Sequence, residues 1–537
     1  MSFLWKIFLA IGWIVLSFQG TAQNWKNGSW NADNGDGTYT NPILHSDFSD
    51  PDLCKAGNEF YLTASSFNCV PGLPILHSTD LVNWEIIGYA LPELYDTVFN
   101  RPQHGNGVWA PSIRYHNNEF YIYWGDPDLG IYMVKAEKPE GPWSNPHLVH
   151  AAKGWIDPCP FWDEDGKAYL VHAFAGSRAG IKNILVMHEM GTDGYTINPT
   201  PVLVFDGHKN HPTIEGPKLY KRNGHYYIFA PAGGVKTGWQ TVLRSNNIFG
   251  AYEEKIELHQ GNTNINGPHQ GGYVELDSGE SWFVHFQDKD AYGRIVHLQP
   301  VQWVNNWPLM GIYINNDGIG EPVLTHQKPK FRVPGEKFVV PTSDEFNTSR
   351  LGLQWQWHAN PKAEWAFPNN MDFLRLNCVL VSAEYSNFWD LPNLLLQKLP
   401  SETFTTTTKF TFYPKENGEK AGLIMMGEDY AYLAVEFSDN KSYVTLQTCT
   451  DARIGGNEIQ EEKVEVENNE LYFRVRVNEG GICQFAYSTD GQLFHQIGKA
   501  FTARAGRWIG AKVGIFALKT QNTNDSGYTD YDWFRFE

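Results

Sequence analysis

The sequence predicts an all-β protein in which a five-bladed β-propeller is followed by a β-sandwich. Three observations support this: a fivefold internal repeat, a different pattern of alternating strands in the second half, and an almost complete lack of helical periodicity. In each repeat a chain-reversing cluster precedes a hydrophobic strand with an aromatic residue near its start. The aromatic residues lie 48 to 60 residues apart, which fits one four-stranded blade with its loops. They are Tyr61, Tyr121, Tyr169, Tyr227 and Trp282.

The chain begins with a pattern typical of a secretory signal peptide over residues 1–22. Lys6 precedes an apolar run over residues 7–18, and small residues precede Gln23. The alternative, a membrane anchor, is disfavoured because a spanning helix needs about 20 apolar residues. We therefore expect export to the periplasm or the extracellular space, with no membrane attachment after cleavage.

Composition changes divide the remaining chain. Residues 23–325 contain the repeats and are predicted to form the propeller, and a proline-punctuated stretch over residues 326–342 is predicted to be a linker. Residues 343–537 contain alternating strands without the repeat, which predicts an antiparallel sandwich. This second domain could bind carbohydrate or brace the propeller. The brace is favoured, because no run of exposed aromatic residues is identifiable in this half.

Charge and cysteine content exclude several classes of function. The formal net charge is −18 with no concentrated basic face, which argues against a nucleic-acid partner and favours a neutral one. Six cysteines lie far apart without a CxxC pair, so neither a zinc site nor a disulfide framework is indicated. Buried free thiols are favoured, although Cys54 and Cys69 would allow one short-loop disulfide.

One position of the repeat carries the chemistry. Stepping back 11 to 13 residues from each aromatic anchor gives Asp50, Trp109, Asp157, Glu215 and His269. A single Asp-Pro or Glu-Gly-Pro is usually a turn, but three carboxylates in the same phase of a propeller would converge on its axis. Hydrolysis of a glycosidic bond needs such a set: one carboxylic acid to protonate the leaving oxygen and one carboxylate to activate water or attack the sugar.

Several motifs together resemble the family 43 glycoside hydrolases, five-bladed propellers that remove xylose or arabinose from plant-wall glycans. The motifs are Asp50-Pro51, Ser65-Ser66-Phe67, Gly107-Val108-Trp109-Ala110-Pro111, Ile156-Asp157-Pro158, Glu215-Gly216-Pro217-Lys218, His269-Gln270-Gly271-Gly272 and the segment 293–300. The resemblance implies that Asp50 is the general base, Glu215 the general acid, and Asp157 the group that positions and tunes the acid. It also implies inversion of the anomeric centre, which requires carboxyl groups about 6.5–9.5 Å apart.

The resemblance extends to substrate binding and to the second domain. Arg294 is similar to an arginine that binds sugar hydroxyls, with an ion pair to an axial acid as the alternative. Phe67 and Trp109 are similar to pocket walls, with ordinary core packing as the alternative. His269 is similar to an axial histidine beside a water or a calcium ion, although it could equally be a hydrogen-bonded core histidine. The second half resembles a concanavalin-like jelly roll, and its segment 520–530 is the predicted loop at the pocket rim.

Two departures from the family pattern, Asp52 and Cys69, are expected close to the pocket. The resulting interpretation is an exported, exo-acting, inverting glycosidase that releases terminal xylose or arabinofuranose from plant cell-wall oligosaccharides or polysaccharides. No cofactor is required for the chemistry, and a structural calcium ion is allowed. An endo-acting arabinanase and a non-catalytic glycan-binding propeller are the alternatives. The two sugars present similar hydroxyl patterns, so the sequence leaves the choice between them open.

Overall fold

A computed structural model describes residues 25–26, 29–315, 317–331 and 335–537, and β-strands dominate it. The predicted all-β architecture is confirmed: a five-bladed propeller is followed by a two-sheet sandwich. The predicted signal peptide, residues 1–22, lies outside the described residues. Across those residues, no helix is both long and apolar enough to span a bilayer.

Each propeller blade is a four-stranded antiparallel sheet, and the blades are numbered 1 to 5 in chain order. Blade 1 has strands Asp52–Ala56, Glu59–Thr63, Gly72–Ser78 and Glu85–Leu91; blade 2 has Trp109–His116, Glu119–Asp126, Gly130–Ala136 and His147–Ala151; blade 3 has Trp155–Trp162, Ala168–Phe174, Ile184–Met190 and Val202–Asp206; blade 4 has Lys218–Arg222, His225–Ala232, Trp239–Ser245 and Glu253–Leu258; blade 5 has Gly271–Glu275, Ser281–Asp288, Arg294–Val304 and Trp307–Met310. All five aromatic anchors lie in the second strand of a blade. First strands of neighbouring blades contact each other, so the first strand of each blade lines the propeller axis.

The ring of blades closes without a strand shared between its ends. Blades 1 and 5 are each built from one continuous stretch of chain, and the segment before blade 1 runs along the third strand of blade 5. Ile43 N donates to Val296 O at 2.8 Å, and Phe48 N donates to Arg294 O at 3.1 Å. A short strand, Thr38–Thr40, also pairs with Thr325–Gln327. The chain ends of the propeller are thus tied together by hydrogen bonds next to Arg294.

The second domain consists of two mostly antiparallel sheets packed face to face. One sheet has strands Gln356–Trp357, Leu395–Lys398, Lys512–Lys519, Lys420–Met426, Tyr430–Ser438, Lys441–Cys449 and Glu458–Val466, with Val379–Leu380 added in parallel. The other has Ala366–Pro368, Leu374–Asn377, Tyr528–Phe536, Phe404–Tyr413, Glu470–Asn478, Ile482–Ser488 and His495–Gln496, with Phe501–Thr502 at its edge. Alternating apolar residues, as in the buried Leu471, Phe473 and Val475, fill the space between the sheets.

The remaining regular elements are short. Trp25–Lys26 pairs with Ser29–Trp30, and Gly176–Ala179 forms one α-helical turn. The 3₁₀ segments are Thr97–Asn100, Asp290–Tyr292, Phe388–Asp390, Ala452–Ile454 and Glu479–Gly481. All six cysteines are buried and free, which agrees with the expectation of unpaired thiols.

The propeller and the sandwich share one continuous hydrophobic cluster. Val70 of blade 1 and Trp357 of the sandwich exchange backbone hydrogen bonds of 3.0 and 2.6 Å, and Asn68 Nδ2 donates to His358 O at 2.7 Å. The stretch predicted as a linker lies along blade 1, where Lys328 forms a hydrogen bond of 2.7 Å with Asp80. The exact domain boundaries stay predictions; the blade strands end at residue 310 and the sandwich strands begin at residue 356.

Candidate active site

The five in-phase positions of the repeat all lie at the entry to an innermost strand. Asp50 and His269 precede their strands by two residues, Glu215 precedes its strand by three, Trp109 is the first residue of its strand, and Asp157 is the third. Because the innermost strands of a propeller run in the same direction along the axis, their entries meet at one end of it. The repeat phase therefore brings these residues together although they are spread over more than 200 positions of sequence.

A cavity of about 200 Å³ opens at this end of the axis. It is lined by six of the seven predicted site residues, namely Asp50, Phe67, Trp109, Asp157, Glu215 and Arg294. The seventh, His269, does not line it. The other lining residues are Ala110, Ile156, Phe174, Ala175, Gly176, Ser177, Lys182, Asn183, Thr213, Ile214, Val235, Gln270 and Trp508.

The backbone at two of the acids adopts an uncommon conformation. Asp50 has φ 53° and Asp157 has φ 59°, in the left-handed region that non-glycine residues rarely occupy. The pairing of the first two strands of blade 3 shifts register between Ile156 and Cys159, so Asp157 lies in a β-bulge. Pro158 follows it and cannot donate a ladder hydrogen bond, which suits a bulge. The strand irregularity turns the carboxyl group towards the axis, and such strain is typical of functional positions.

Asp50 is held by three donors. Ser65 Oγ donates to Asp50 Oδ2 at 2.6 Å, and Ser49 Oγ donates to the same oxygen at 3.0 Å. Arg294 Nη1 donates to Oδ1 at 3.0 Å and to Oδ2 at 3.3 Å. The Ser65 hydroxyl accepts a hydrogen bond from Ala110 N at 2.7 Å, which directs its proton to Asp50. This carboxylate is therefore fixed in orientation by charge-assisted hydrogen bonds.

The carboxyl group of Glu215, unlike that of Asp50, receives no hydrogen bond from the described residues, and His269 Nε2 lies 3.5 Å from its Oε1. Burial, and then the negative charges of Asp157 and Asp50, raise the pKa of Glu215 from 4.5 to about 8. The positive charges of Arg294 and Lys182 lower it by a smaller amount. Glu215 is thus protonated at neutral pH.

Asp157 is coupled to Glu215 through the backbone. Gly216 N, next to Glu215, donates to Asp157 Oδ2 at 2.7 Å. Gly216 has φ 57°, and a Cβ atom there would lie 2.2 Å from Gln270 Cγ, so this position requires glycine. Burial is the largest cause that raises the pKa of Asp157; the charge of Asp50 adds to it, while the Gly216 hydrogen bond and the Lys218 ammonium oppose it.

Arg294 forms the ion pair of one interpretation, and its interaction with a sugar stays a prediction. It forms the ion pair with Asp50, and its guanidinium lies 4.8 Å from the centroid of the Phe286 ring. It also lines the cavity, where it faces any bound substrate. Because Nη1 is bonded to Asp50 and to Ser49, Arg294 can position the base and contact a sugar at the same time.

Four aromatic side chains line the cavity: Phe67, Trp109, Phe174 and Trp508. Phe67 is buried and packs edge to face against Trp109, with ring centroids 6.4 Å apart. Trp508 packs against the other side of the mouth, 6.2 Å from Trp109 and 5.8 Å from the Arg294 guanidinium. Trp508 belongs to the sandwich, so the second domain contributes directly to the site.

The prediction for the sandwich loop is wrong in its location. The side chains of the segment 520–530 contact only the sandwich, for example Asp525 with Lys415 at 2.7 Å, and no residue of the segment lines the cavity. Trp508 reaches it instead, because the turn before strand Lys512–Lys519 projects over the propeller axis. Gly510 N, in this turn, donates to Asp47 Oδ2 of the propeller at 3.0 Å.

The two departures from the family pattern lie outside the cavity lining. Asp52 is fully buried between blades and accepts hydrogen bonds from Arg114 Nη1 at 2.6 Å and Ile113 N at 2.9 Å. Cys69 lies at the domain interface, where Lys512 Nζ is 2.9 Å from its sulfur. Neither residue lines the cavity, although Cys69 packs in one cluster with Phe67, which does.

The water or calcium site that the family resemblance allowed at His269 stays a prediction. His269 is buried, both of its ring nitrogens lack a hydrogen-bond partner in the described part of the chain, and burial lowers its pKa to about 3. Calcium prefers several oxygen ligands. No group of three or more His, Cys, Asp or Glu side chains that could hold a metal occurs among the described residues.

Several site residues were not predicted individually. Ser65 and Gln270 stand inside motifs that did mark the site, Ser65-Ser66-Phe67 and His269-Gln270-Gly271-Gly272, so a sequence signal existed. Lys182 and Trp508 carry no such signal. The assembled geometry can place a protonated carboxyl group and a charged carboxylate around one small ligand, with aromatic walls and a guanidinium beside it.

Comparison with known proteins supports the fold. Residues 39–308 match the model of Glycosyl hydrolases family 43, and residues 343–537 match the Beta xylosidase C-terminal Concanavalin A-like domain. A putative beta-xylosidase of Xylanibacter ruminicola is 39% identical over 91% of this chain and 88% of its own length. A non-reducing end alpha-L-arabinofuranosidase of Bacteroides ovatus is 28% identical over 93% and 94% of the two chains.

A solved structure has the same two-domain arrangement. The crystal structure of the GH43 BlXynB protein from Bacillus licheniformis superposes with a TM-score of 0.80 at 26% sequence identity. The match covers 93% of this chain and 99% of that one. The similarity therefore includes both the propeller and the sandwich.

Proposed function

Because the chain belongs to glycosyl hydrolase family 43, we propose that it removes a terminal pentose from the non-reducing end of a glycan with inversion of configuration. Glu215 is the general acid, Asp50 the general base, and Asp157 the residue that positions Glu215 and tunes its pKa. Phe67, Trp109 and Arg294 contact the sugar. The protein is a glycoside hydrolase, and the residue roles and the identity of the pentose are the proposal.

The assignment of acid and base rests on the contrast between Asp50 and Glu215, two of the carboxyl groups that line the cavity. Asp50 accepts hydrogen bonds from Ser65, Ser49 and Arg294, whereas Glu215 has none and its pKa is raised to about 8. A pair of carboxyl groups whose environments differ in this way provides one proton donor and one base at the same pH. A glycan-binding propeller without catalysis would need neither.

The mechanism follows as a single displacement. Glu215 donates its proton to the glycosidic oxygen as the bond from that oxygen to the anomeric carbon breaks. A water on the opposite face attacks the anomeric carbon, and Asp50 takes the proton of that water. The products are a free pentose of inverted configuration and the shortened glycan. Glu215 ends ionised and Asp50 protonated, and proton exchange with solvent restores both.

The small volume of the cavity favours exo action. An endo-acting enzyme binds the middle of a chain in a cleft open at both ends, whereas this cavity is covered at the mouth by Trp508. A chain end can enter and a chain interior cannot. The alternative of an endo-acting arabinanase is disfavoured for this reason.

Xylose is the first candidate for the released sugar. The relative with 39% identity carries the description putative beta-xylosidase, and the relative called an arabinofuranosidase is 28% identical. Arabinofuranose is the second candidate, because both relatives match more than nine-tenths of this chain. The two-domain architecture is therefore compatible with either sugar.

We also propose where the reaction takes place and on which glycans. The predicted signal peptide supports action outside the cytoplasm, on plant cell-wall oligosaccharides or polysaccharides. No cofactor takes part in the displacement, because the proton donor and the base are both side chains of this chain.

A panel of 4-nitrophenyl glycosides tests the proposal. We expect turnover of the β-xyloside, weaker or comparable turnover of the α-L-arabinofuranoside, and none of the galactoside or galactofuranoside. Xylo-oligosaccharides should release xylose alone from the first time points. Release of oligosaccharides from linear arabinan would support endo action, and no turnover of any substrate would contradict the proposed activity.

A further inference from the structure

The cavity mouth carries two tryptophan rings, each covered by an arginine. The Arg178 guanidinium lies 5.7 Å from the Trp109 ring centroid, and the Arg507 guanidinium lies 4.5 Å from the ring of Trp508. The two tryptophan rings lie 6.2 Å apart. Trp508 is 39% exposed, so this surface is open to the part of a glycan that projects from the cavity.

The two arginines differ in their partners. Arg178 contacts Asp128 at 3.4 Å and donates to Asn106 Oδ1 at 2.9 Å. Arg507 has no ion pair and no hydrogen bond with any described residue, although Asp288 and Glu428 line the same groove. Its aliphatic stem packs on Gly105, where a Cβ atom would lie 2.4 Å from Arg507 Cγ. The stem is therefore anchored while the guanidinium is available.

A second cation without an ion pair among the described residues lies at the cavity. Lys182 lines the cavity, is exposed, and has no ion pair within the described ranges. Two neighbouring acids are paired: Glu428 contacts Arg504 at 2.9 Å, and Asp290 contacts Lys236 at 3.1 Å. Asp288 lines the same groove and has no ion pair among the described residues. The whole chain has a net charge of −18, so it would repel an acidic glycan unless local cations opposed that field.

We propose that Arg507 and Trp508 form a subsite for a carboxylated sugar on the leaving-group side of the scissile bond. A uronic acid has an apolar C–H face that can pack on the part of the indole that Arg507 leaves exposed, and a carboxylate that matches the planar fork of the guanidinium. Lys182 adds positive charge at the same mouth. The substrates that this enzyme prefers are therefore xylo-oligosaccharides that bear a uronic acid substituent. This inference rests on the proposed exo-glycosidase activity and specifies its substrate class.

The experiment compares two substrates that differ only in charge. One is xylotriose with a glucuronic acid substituent on its reducing-end xylose, and the other is the methyl ester of that glucuronic acid. The native enzyme should have a kcat/KM for the acid that is roughly two- to fivefold higher than for the ester, the range for an exposed charge pair. The ratio should approach one at high salt, because exposed pairs are screened.

Substitutions in the loop that contains Arg504 and Arg507 test whether Arg507 causes the preference for the acid over the ester. Arg507→Gln should bring the acid-to-ester ratio to about one, and Arg507→Lys should retain part of the preference. Arg504→Gln is the matched control, because Arg504 lies in the same loop but pairs with Glu428 and Asp451, and it should leave the ratio unchanged.

The outcomes separate this inference from the proposed activity. A native ratio of one or less, or a ratio that Arg507→Gln leaves unchanged, would overturn the subsite while xylobiose hydrolysis still supported the exo-glycosidase. Failure to cleave the decorated substrate in either form, with xylobiose cleaved normally, would also overturn it. Failure to cleave xylobiose as well would contradict the proposed activity itself.

Discussion

Trp508 of the sandwich meets Trp109 of blade 2 edge to face across the mouth of the cavity, with ring centroids 6.2 Å apart at an interplanar angle of 71°. This contact makes the active site a product of both domains. The proposed base, the proposed acid and the arginine proposed to bind the sugar come from the propeller, and one wall comes from a turn of the sandwich. The second domain therefore does more than brace the first.

Replacement of Trp508 should weaken substrate binding. Trp508→Ala removes a ring that can pack against the sugar, and an aromatic contact of this kind is worth about 0.5–1.5 kcal/mol beyond its area. We expect KM for xylobiose to rise roughly two- to tenfold, measured by steady-state kinetics. Trp508→Phe should recover most of the loss.

Trp533→Ala is a suitable control for that experiment. Trp533 is also a sandwich tryptophan covered by an arginine, with Arg535 4.3 Å from its ring, but it does not line the cavity. It should leave KM unchanged. An equal rise in KM for both variants would show a general effect on the sandwich and no direct contact of Trp508 with substrate.

Removal of the sandwich should inactivate the protein. Truncation after Pro341 exposes the propeller face that contacts Trp357 and His358, and it deletes Trp508. Because the two domains share a hydrophobic cluster, we expect aggregation or loss of activity, measured by size-exclusion chromatography and xyloside turnover. A soluble and fully active propeller would show that the sandwich is dispensable.

Glu215→Gln tests the acid. The variant cannot protonate a leaving oxygen, so cleavage of xylobiose should fall by about 10²–10⁴-fold, the usual contribution of general acid catalysis. An aryl xyloside with a good leaving group needs little protonation and should be affected far less. The ratio of the two rates is the measurement, and equal losses on both substrates would remove Glu215 from the role of acid.

Asp50→Asn tests the base and the stereochemistry. Activity should be lost on every substrate, including activated aryl xylosides. The attacking water then has no base to accept its proton, and this holds for every leaving group. In the native enzyme, proton NMR of early hydrolysis should show a first product of inverted configuration. A retained configuration would identify Asp50 as a nucleophile, about 5–5.5 Å from the acid.

The pH profile tests the coupling of Asp157 to Glu215. Activity requires protonated Glu215, so kcat/KM should fall as the pH rises through its pKa of about 8. Asp157→Asn removes a negative charge that raises this pKa while it keeps an acceptor for Gly216 N. The alkaline limb should therefore move to lower pH. Asp165→Asn, an exposed change in the same blade, is the control, and an unmoved limb for Asp157→Asn would contradict the tuning role.

The order of residues along the chain determined the propeller and the positions of its acids. Each blade is built from one continuous stretch of sequence, so its strands and turns follow from local patterns. Asp50, Asp157 and Glu215 could be found because each stands 11 or 12 residues before the aromatic anchor of its repeat. In a propeller, residues at the same position of each repeat lie close together at the axis. Their proximity can therefore be predicted without knowing any side-chain contact.

Only the tertiary structure decided which other residues complete the site and what their chemistry is. Trp508 lies far beyond the last repeat, and no local pattern distinguishes its turn from the segment 520–530, which was wrongly expected to reach the rim. Asp52 was expected near the pocket, but its pairing with Arg114 between two blades could not be read from its neighbours in sequence. The high pKa of Glu215 likewise arises from burial and from charges on other blades. Desolvation and Coulomb interactions depend on distances in space, which the sequence determines only through the completed fold.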